Sequence, residues 1–222
     1  MAYPPRDAHV RRLRGWDTQS PLVKQDMYKL SGSIASKTES GASNCLFVGP
    51  CVNRGVHSAS FRLCNLKGNG VDIGVVRDGS STHSNHSGKS SESGWFISTW
   101  TGGLLGHGRA NDRDERAGEI SEGSVLTVRI DFDEGTIDFA VDGVKHGGGF
   151  QGQKLAGEGL FWAVTMYYEG QAVEYLPGWL PARSASVCSQ EETAGEEGKE
   201  SDEQKDAEGG GLLFCDSFPG AP

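Results

Sequence analysis

Residues 122–150 read EGSVLTVRIDFDEGTIDFAVDGVKHGGGF, two consecutive hairpins with the register written into the pattern. Leu126, Val128, Ile130 and Phe132 alternate with Thr127, Arg129 and Asp131. Ile137, Phe139 and Val141 alternate with Asp138 and Ala140. A period of two sends every large apolar side chain to one sheet face and the polar ones to the other. Same-face pairing needs an even number of connecting residues, so Phe132 is expected opposite Ile137 around Asp133-Glu134-Gly135-Thr136. If Asp133 and Thr136 pair as well, the turn tightens to Glu134-Gly135. The next turn is Asp142-Gly143, whose two central positions tolerate positive φ, with Val141 opposite Val144. The sheet is expected to bury one face.

Gly135-Thr136-Ile137-Asp138-Phe139 and then Asp142-Gly143-Val144, with glycines behind, resemble the central motif of a SPRY domain. Other pieces follow in the family's order. Ser60–Leu63 resembles an upstream strand, and Val71-Asp72-Ile73-Gly74-Val75 resembles the "I-G-V" strand. Gly94-Trp95, Trp100 and Gly106-His107-Gly108 resemble the tryptophan-glycine middle, and Gly118–Gly123 resembles the step into the hairpin. Leu160-Phe161-Trp162-Ala163-Val164 resembles the penultimate strand. The likeness covers roughly residues 30–177, although His57-Ser58-Ala59-Ser60 stands where an aromatic-rich run is usual. It implies an all-β fold, an antiparallel two-sheet β-sandwich of the concanavalin-like jelly-roll type.

Composition fits a β domain with a tail. The 222 residues include 33 glycines, many between short apolar runs. Residues 191–208 carry nine carboxylates against Lys199 and Lys205, most of the chain's net charge of −9. What remains is nearly neutral, with no basic field for a phosphate backbone, so nucleic acid is not an expected partner. Residues 1–29 read as an N-terminal extension in which Val10, Leu13 and Trp16 form a short apolar stripe. Residues 30–178 read as the β domain. Residues 179–222 read as an acidic low-complexity tail, too polar to bury a core and expected to be disordered. Leu212-Leu213-Phe214-Cys215 follows it, either as a docking motif or as the end of a segment within a larger protein; the residues leave both open.

Five cysteines (Cys45, Cys51, Cys64, Cys188, Cys215) with no C-x-x-C pair read as reduced thiols, with Cys45 and Cys64 packed on strands. The first residues have arginines but no apolar run behind them, and no stretch approaches the ~20 apolar residues of a membrane span. The expectation is a cytoplasmic or nuclear monomer that does not engage membranes.

Catalytic and metal readings each have a plainer rival. The expected register sets Asp131 opposite Asp138, a repulsive pair that a calcium ion could neutralise. Arg129 does the same more simply, from two residues along on the same face. Asp131, Asp133, Glu134 and Asp138 lie at exposed or turn positions rather than inward ones, unlike the buried acid of a glycosidase pair. His83 and His86 sit three apart in a Ser/Gly-rich loop without a third ligand. His107 and His146 flank glycine clusters and read as turn residues. No G-x-S-x-G elbow occurs, and Gly102–Gly108 lacks the Lys-Ser/Thr of a phosphate loop. No catalytic residue, metal ligand or cofactor is expected.

Loops remain. Asp78–Gly94 has almost no apolar residue and reads as an insertion. Thr101–Gly118 carries Arg109, Arg113 and Arg116, and Val48–His57 carries Asn53 and Arg54. Trp100, Tyr167 and Tyr168 are possible anchors, since aromatic and Arg contacts dominate interfaces; Trp95 and Trp162 are expected in the core. The resemblance implies a shallow groove for short segments of partner proteins, in an adaptor or scaffold. Asn53, Arg54, Trp100, Arg109, Arg113, Arg116 and Tyr168 are the candidate contacts. The alternative is a lectin-like sandwich that binds glycans.

Overall fold

The computed structural model describes residues 15–20, 23, 25–41, 44–68, 70–80, 92–110 and 118–177. Thirteen strands are named among them, in chain order: β1 (Tyr28–Ser31), β2 (Ile34–Lys37), β3 (Asn44–Val52), β4 (Val56–Asn65), β5 (Val71–Arg77), β6 (Gly94–Ser98), β7 (Leu104–Gly106), β8 (Arg109–Ala110), β9 (Val125–Asp131), β10 (Thr136–Val141), β11 (Val144–Lys145), β12 (Leu160–Met166) and β13 (Ala172–Leu176). A seven-stranded sheet runs β1-β2-β13-β4-β9-β10-β11, and a six-stranded sheet runs β3-β12-β5-β6-β7-β8. Every pairing within them is antiparallel. No helix of the described residues is long and apolar enough to cross a membrane.

The core lies between the sheets. Phe61, Leu63, Leu126, Val128, Ile130, Ile137 and Phe139 meet Leu46, Val48, Ile73, Val75, Trp95, Trp162 and Val164 there. Two residues of the expected N-terminal extension join it. Trp16 and Tyr28 are 5 % and 2 % exposed, and Trp16 bridges to Val48 on the outer edge of β3. Their aromatic surface is worth more buried than solvated, by about 2 kcal/mol or more each, so Trp16 and Tyr28 pack with the sandwich.

The two sheets differ on their outward faces. The seven-stranded sheet turns Ser58, Arg62, Arg129, Asp138 and Glu174 outward, the alternation expected of a half-solvated sheet. The six-stranded sheet does not. Cys45, Phe47, Val76, Phe96, Phe161 and Ala163 occupy the alternate positions of its strands and form a second apolar cluster, each at most 1 % exposed. Strand β12 is therefore buried on both sides and, apart from Thr165, reads as an unbroken apolar run.

The hairpin register departs from expectation by two residues. Ile137 lies opposite Ile130, Phe139 opposite Val128, and Asp138 opposite Arg129 rather than Asp131. Val141 does pair with Val144 around Asp142-Gly143, at φ 50° and 84°. A shift of two keeps the apolar faces together, so the pattern alone allows both registers. Polar contacts decide between them. The Asp131 carboxylate accepts the N–H groups of Asp133 and Glu134 at 3.2 and 3.1 Å, an Asx-type turn that ends the strand one residue before Phe132. Arg129 reaches Asp131 at 2.8 Å and Asp138 at 3.8 Å, and Lys145 reaches Asp138 at 3.0 Å, so no like charges face each other.

Two expectations follow. A Cβ at Gly74 in β5 would stand 1.9 Å from the Trp95 carbonyl oxygen and 2.7 Å from Phe96 Cα. Those are backbone atoms of β6 and cannot swing aside, so Gly74→Ala should cost about 3 kcal/mol in a denaturant titration. The Asp131 carboxyl is held below its ordinary 3.8, first by the Glu134 N–H, then by Arg129 and the Asp133 N–H, against the opposing pull of burial. A depressed folded-state value contributes stability above the unfolded value and loses it as pH falls through the folded one. The stability gap between the native chain and Asp131→Asn should therefore be present at neutral pH and close as pH drops below 3.8. A gap that stays constant with pH would contradict this account.

Candidate functional site

The registers assign the strand termini to two ends of the sandwich. Val52, Val56, Arg77, Gly94, Asp131 and Leu160 lie at the first end. Asn44, Asn65, Val71, Ser98, Val125, Met166 and Ala172 lie at the second. The candidate contacts are split between them.

Asn53 and Arg54 belong to the first end, exposed in the crossing from β3 to β4. The Arg54 carbonyl accepts from His57 Nε2 at 2.8 Å, and His57 stands edge-on to Phe132. Arg109 opens β8 after the Gly106–Gly108 turn, partly buried and on the same side of the molecule. However, β3 and β8 are opposite edges of the six-stranded sheet, five strand spacings or about 24 Å apart. These arginines do not share one small groove. Arg113 and Arg116, and most of the 78–94 loop with His83 and His86, lie outside the described residues. Trp95 and Trp162 are core residues, as expected. The Trp95 indole N–H donates to Gln153 Oε1 at 2.9 Å, and its ring stacks with His107 and under Arg77. Trp162 packs against the bare backbone of Gly49, which has φ 71°.

Trp100 and Tyr168 both belong to the second end. Each flanks the loop from Leu66 to Gly70. A Cβ on Gly68 would meet the Tyr168 ring at 2.5 Å, and one on Gly70 would meet Trp100 N and Cβ at 2.9 and 3.2 Å. Both glycines have positive φ, 79° and 76°. Trp100 is 51 % exposed, one of three large apolar residues so open among the described residues, with Val56 and Val144. Its turn is nevertheless held firmly. The Thr99 N–H donates to Val71 O at 2.9 Å, and Thr99 Oγ1 accepts the Val71 N–H at 2.9 Å. The Ile120 N–H reaches Thr99 O at 2.7 Å, and the Gly102 N–H reaches Ser98 O at 2.8 Å.

The residue that organises this end is Gln171, which no sequence pattern singles out. It is fully buried, and its side-chain amide makes four hydrogen bonds, all to main chain. Nε2 donates to Lys67 O at 2.7 Å and to Gly70 O at 2.6 Å. Oε1 accepts the N–H groups of Tyr167 and Tyr168 at 2.6 and 3.0 Å. One amide thus ties the 66–70 loop to the 167–171 turn. That turn is tied in addition to the seven-stranded sheet, through Lys37 N–H to Gln171 O and Gly170 N–H to Lys37 O, both at 2.9 Å. The Tyr167 hydroxyl bonds Asp72. The result is a preorganised platform with Trp100 and Tyr168 on it. Among the described residues no group of three or more His, Cys, Asp and Glu is placed to hold a metal ion.

Gln171→Leu preserves most of the volume but strands two carbonyls and two N–H groups. It should cost about 3 kcal/mol or more. Hydrogen exchange should rise in residues 66–70 and 167–171 before it rises in β9 and β10.

Solved structures share the fold. The SPRY domain of human HERC1 aligns with a TM-score of 0.58 and 21 % identity, over 75 % of this chain and 99 % of that one. A second human SPRY domain aligns at 0.55 and 19 %, over 69 % and 97 %. The TRIM65 PSpry domain aligns at 0.55 and 16 %, over 74 % and 92 %. No curated protein sequence matches the chain. The SPRY domain profile matches residues 60–178, from the middle of β4 to just past β13 and more than half of the chain. The two-sheet architecture and that match together place this chain in the SPRY domain family.

Proposed function

We propose that the chain is a non-catalytic recognition module that grips a short segment of a partner protein on the platform carrying Trp100 and Tyr168. SPRY domains are protein-interaction modules as a family, and the choice of end rests on this chain's own residues. The observation that carries it is the half-exposed Trp100 on a turn pinned by buried hydrogen bonds. An aromatic side chain held in place before binding loses little entropy on contact, and such residues dominate binding energy in interfaces. Tyr168, partly buried beside Gly68, and Lys67 give the platform a second ring and a cation. An adaptor or scaffold role follows from recognition without chemistry.

A peptide-display selection on the full chain tests this reading. Trp100→Ala and Tyr168→Ala should each lower capture of an enriched motif by about 30-fold, the size of an interface hot spot. Arg54→Ala and Arg109→Ala should change it little. The reverse pattern would move the site to the opposite end. A selection that enriches no motif would count against peptide recognition and direct the search to glycans.

A further inference from the structure

The loops of the second end are lopsided in charge. Residues 38–41, 66–70, 99–103, 118–124 and 167–171 expose four carboxylates, Glu39, Glu119, Glu122 and Glu169, and among the described residues one cation, Lys67. The ion pairs between described residues draw on Asp131, Asp138, Glu158 and Glu174 instead, so none of the four is paired with a described cation.

Main-chain bonds set these carboxylates around Trp100 and Tyr168. The Ile120 N–H to Thr99 O bond, at 2.7 Å, lays residues 119–122 beside the turn that carries Trp100. The Glu122 carboxylate then accepts the Leu66 N–H at 3.0 Å, at the start of the 66–70 loop. On the other side Glu169 follows Tyr168 directly. Its N–H donates to Ser40 Oγ at 3.1 Å, which brings Glu39 in behind it. Lys67 leans its stem toward Gly170, where a Cβ would lie 3.9 Å from Lys67 Cδ.

We propose that the segment gripped here is basic, with an arginine or lysine of the partner protein laid on the Trp100 indole and its neighbours facing Glu119, Glu122 and Glu169. This identity rests on the reading of Trp100 and Tyr168 as the binding platform. An apolar segment would cover the indole but strip water from the surrounding carboxylates without replacing it. An acidic segment would be repelled by them. A basic one satisfies both features, because the face of a tryptophan ring attracts a cation and the carboxylates pair with it. The chain's net charge of −9 acts in the same sense at long range, steering cationic segments toward it.

Peptide display on the full chain, followed by fluorescence anisotropy of the best enriched peptide, tests the charge of the partner. Enriched sequences should carry a net positive charge. Glu119→Gln, Glu122→Gln and Glu169→Gln should each weaken binding about threefold. The combined loss should shrink as salt is raised. Glutamine at 122 keeps an acceptor for the Leu66 N–H, so its effect reads charge rather than a lost loop contact. Lys67→Glu should tighten binding about threefold. Trp100→Leu should lose more than Trp100→Phe, as a cation on a ring face requires.

An enriched motif that is acidic or uncharged but depends on Trp100 would overturn the basic partner and leave the platform standing. A basic motif indifferent to Trp100, Tyr168 and the three glutamates would overturn both, because the carboxylates of residues 191–208 would then account for its capture. Weaker binding after Lys67→Glu, or no enrichment at all, would also overturn the proposal.

Discussion

Leu160, Trp162, Val164 and Met166 project from β12 into the core, while Phe161, Ala163 and Thr165 project the other way, and all seven are shielded from water. A strand without solvent on either face cannot leave its backbone groups unpaired at the edges. Strands β3 and β5 meet that demand along nearly its whole length. The two loops of the proposed platform hang from this arrangement. The 167–171 turn is the exit of β12, and the 66–70 loop is the entry to β5. Their neighbourhood is fixed by the ladder between those strands, and Gln171 locks the gap that remains.

Much of the sandwich was legible in the sequence because the seven-stranded sheet alternates. Leu126 to Phe132 and Ile137 to Val141 declare a face, and Asp142-Gly143 declares a turn. What the pattern left undetermined was a register shift of two residues, because both alignments bury the same side chains. The choice came from the Asp131 carboxylate folding back on its own turn and from Arg129 facing Asp138, which are short-range polar effects that hydrophobic periodicity does not carry. The six-stranded sheet was harder to read. Leu160-Phe161-Trp162-Ala163-Val164 and Val71-Asp72-Ile73-Gly74-Val75 lack a clean polar alternation, and an apolar run of that length does not announce that both of its faces are covered.

The site was legible only in part. Trp100 and Tyr168 are 68 positions apart in the chain, and their placement at one end beside the 66–70 loop depends on strand order. The arginine candidates were chosen for charge, which says nothing of position, and the sheet order sets Arg54 and Arg109 far apart. Gln171 left no trace at all. A glutamine between Gly170 and Ala172 looks like an ordinary turn residue, and its partners at Lys67 and Gly70 are 104 and 101 positions away.

All four bonds of the Gln171 amide end on peptide groups, and none depends on what the neighbouring side chains are. The platform's shape is thereby uncoupled from the identity of residues 67, 100 and 168, so long as Gly68 and Gly70 keep their backbone geometry. If the proposed platform is the binding surface, a lineage, or a designer, can therefore rewrite what it prefers by exchanging those three side chains while the underlying geometry stays put. The same amide makes specificity cheap to change and architecture expensive to change.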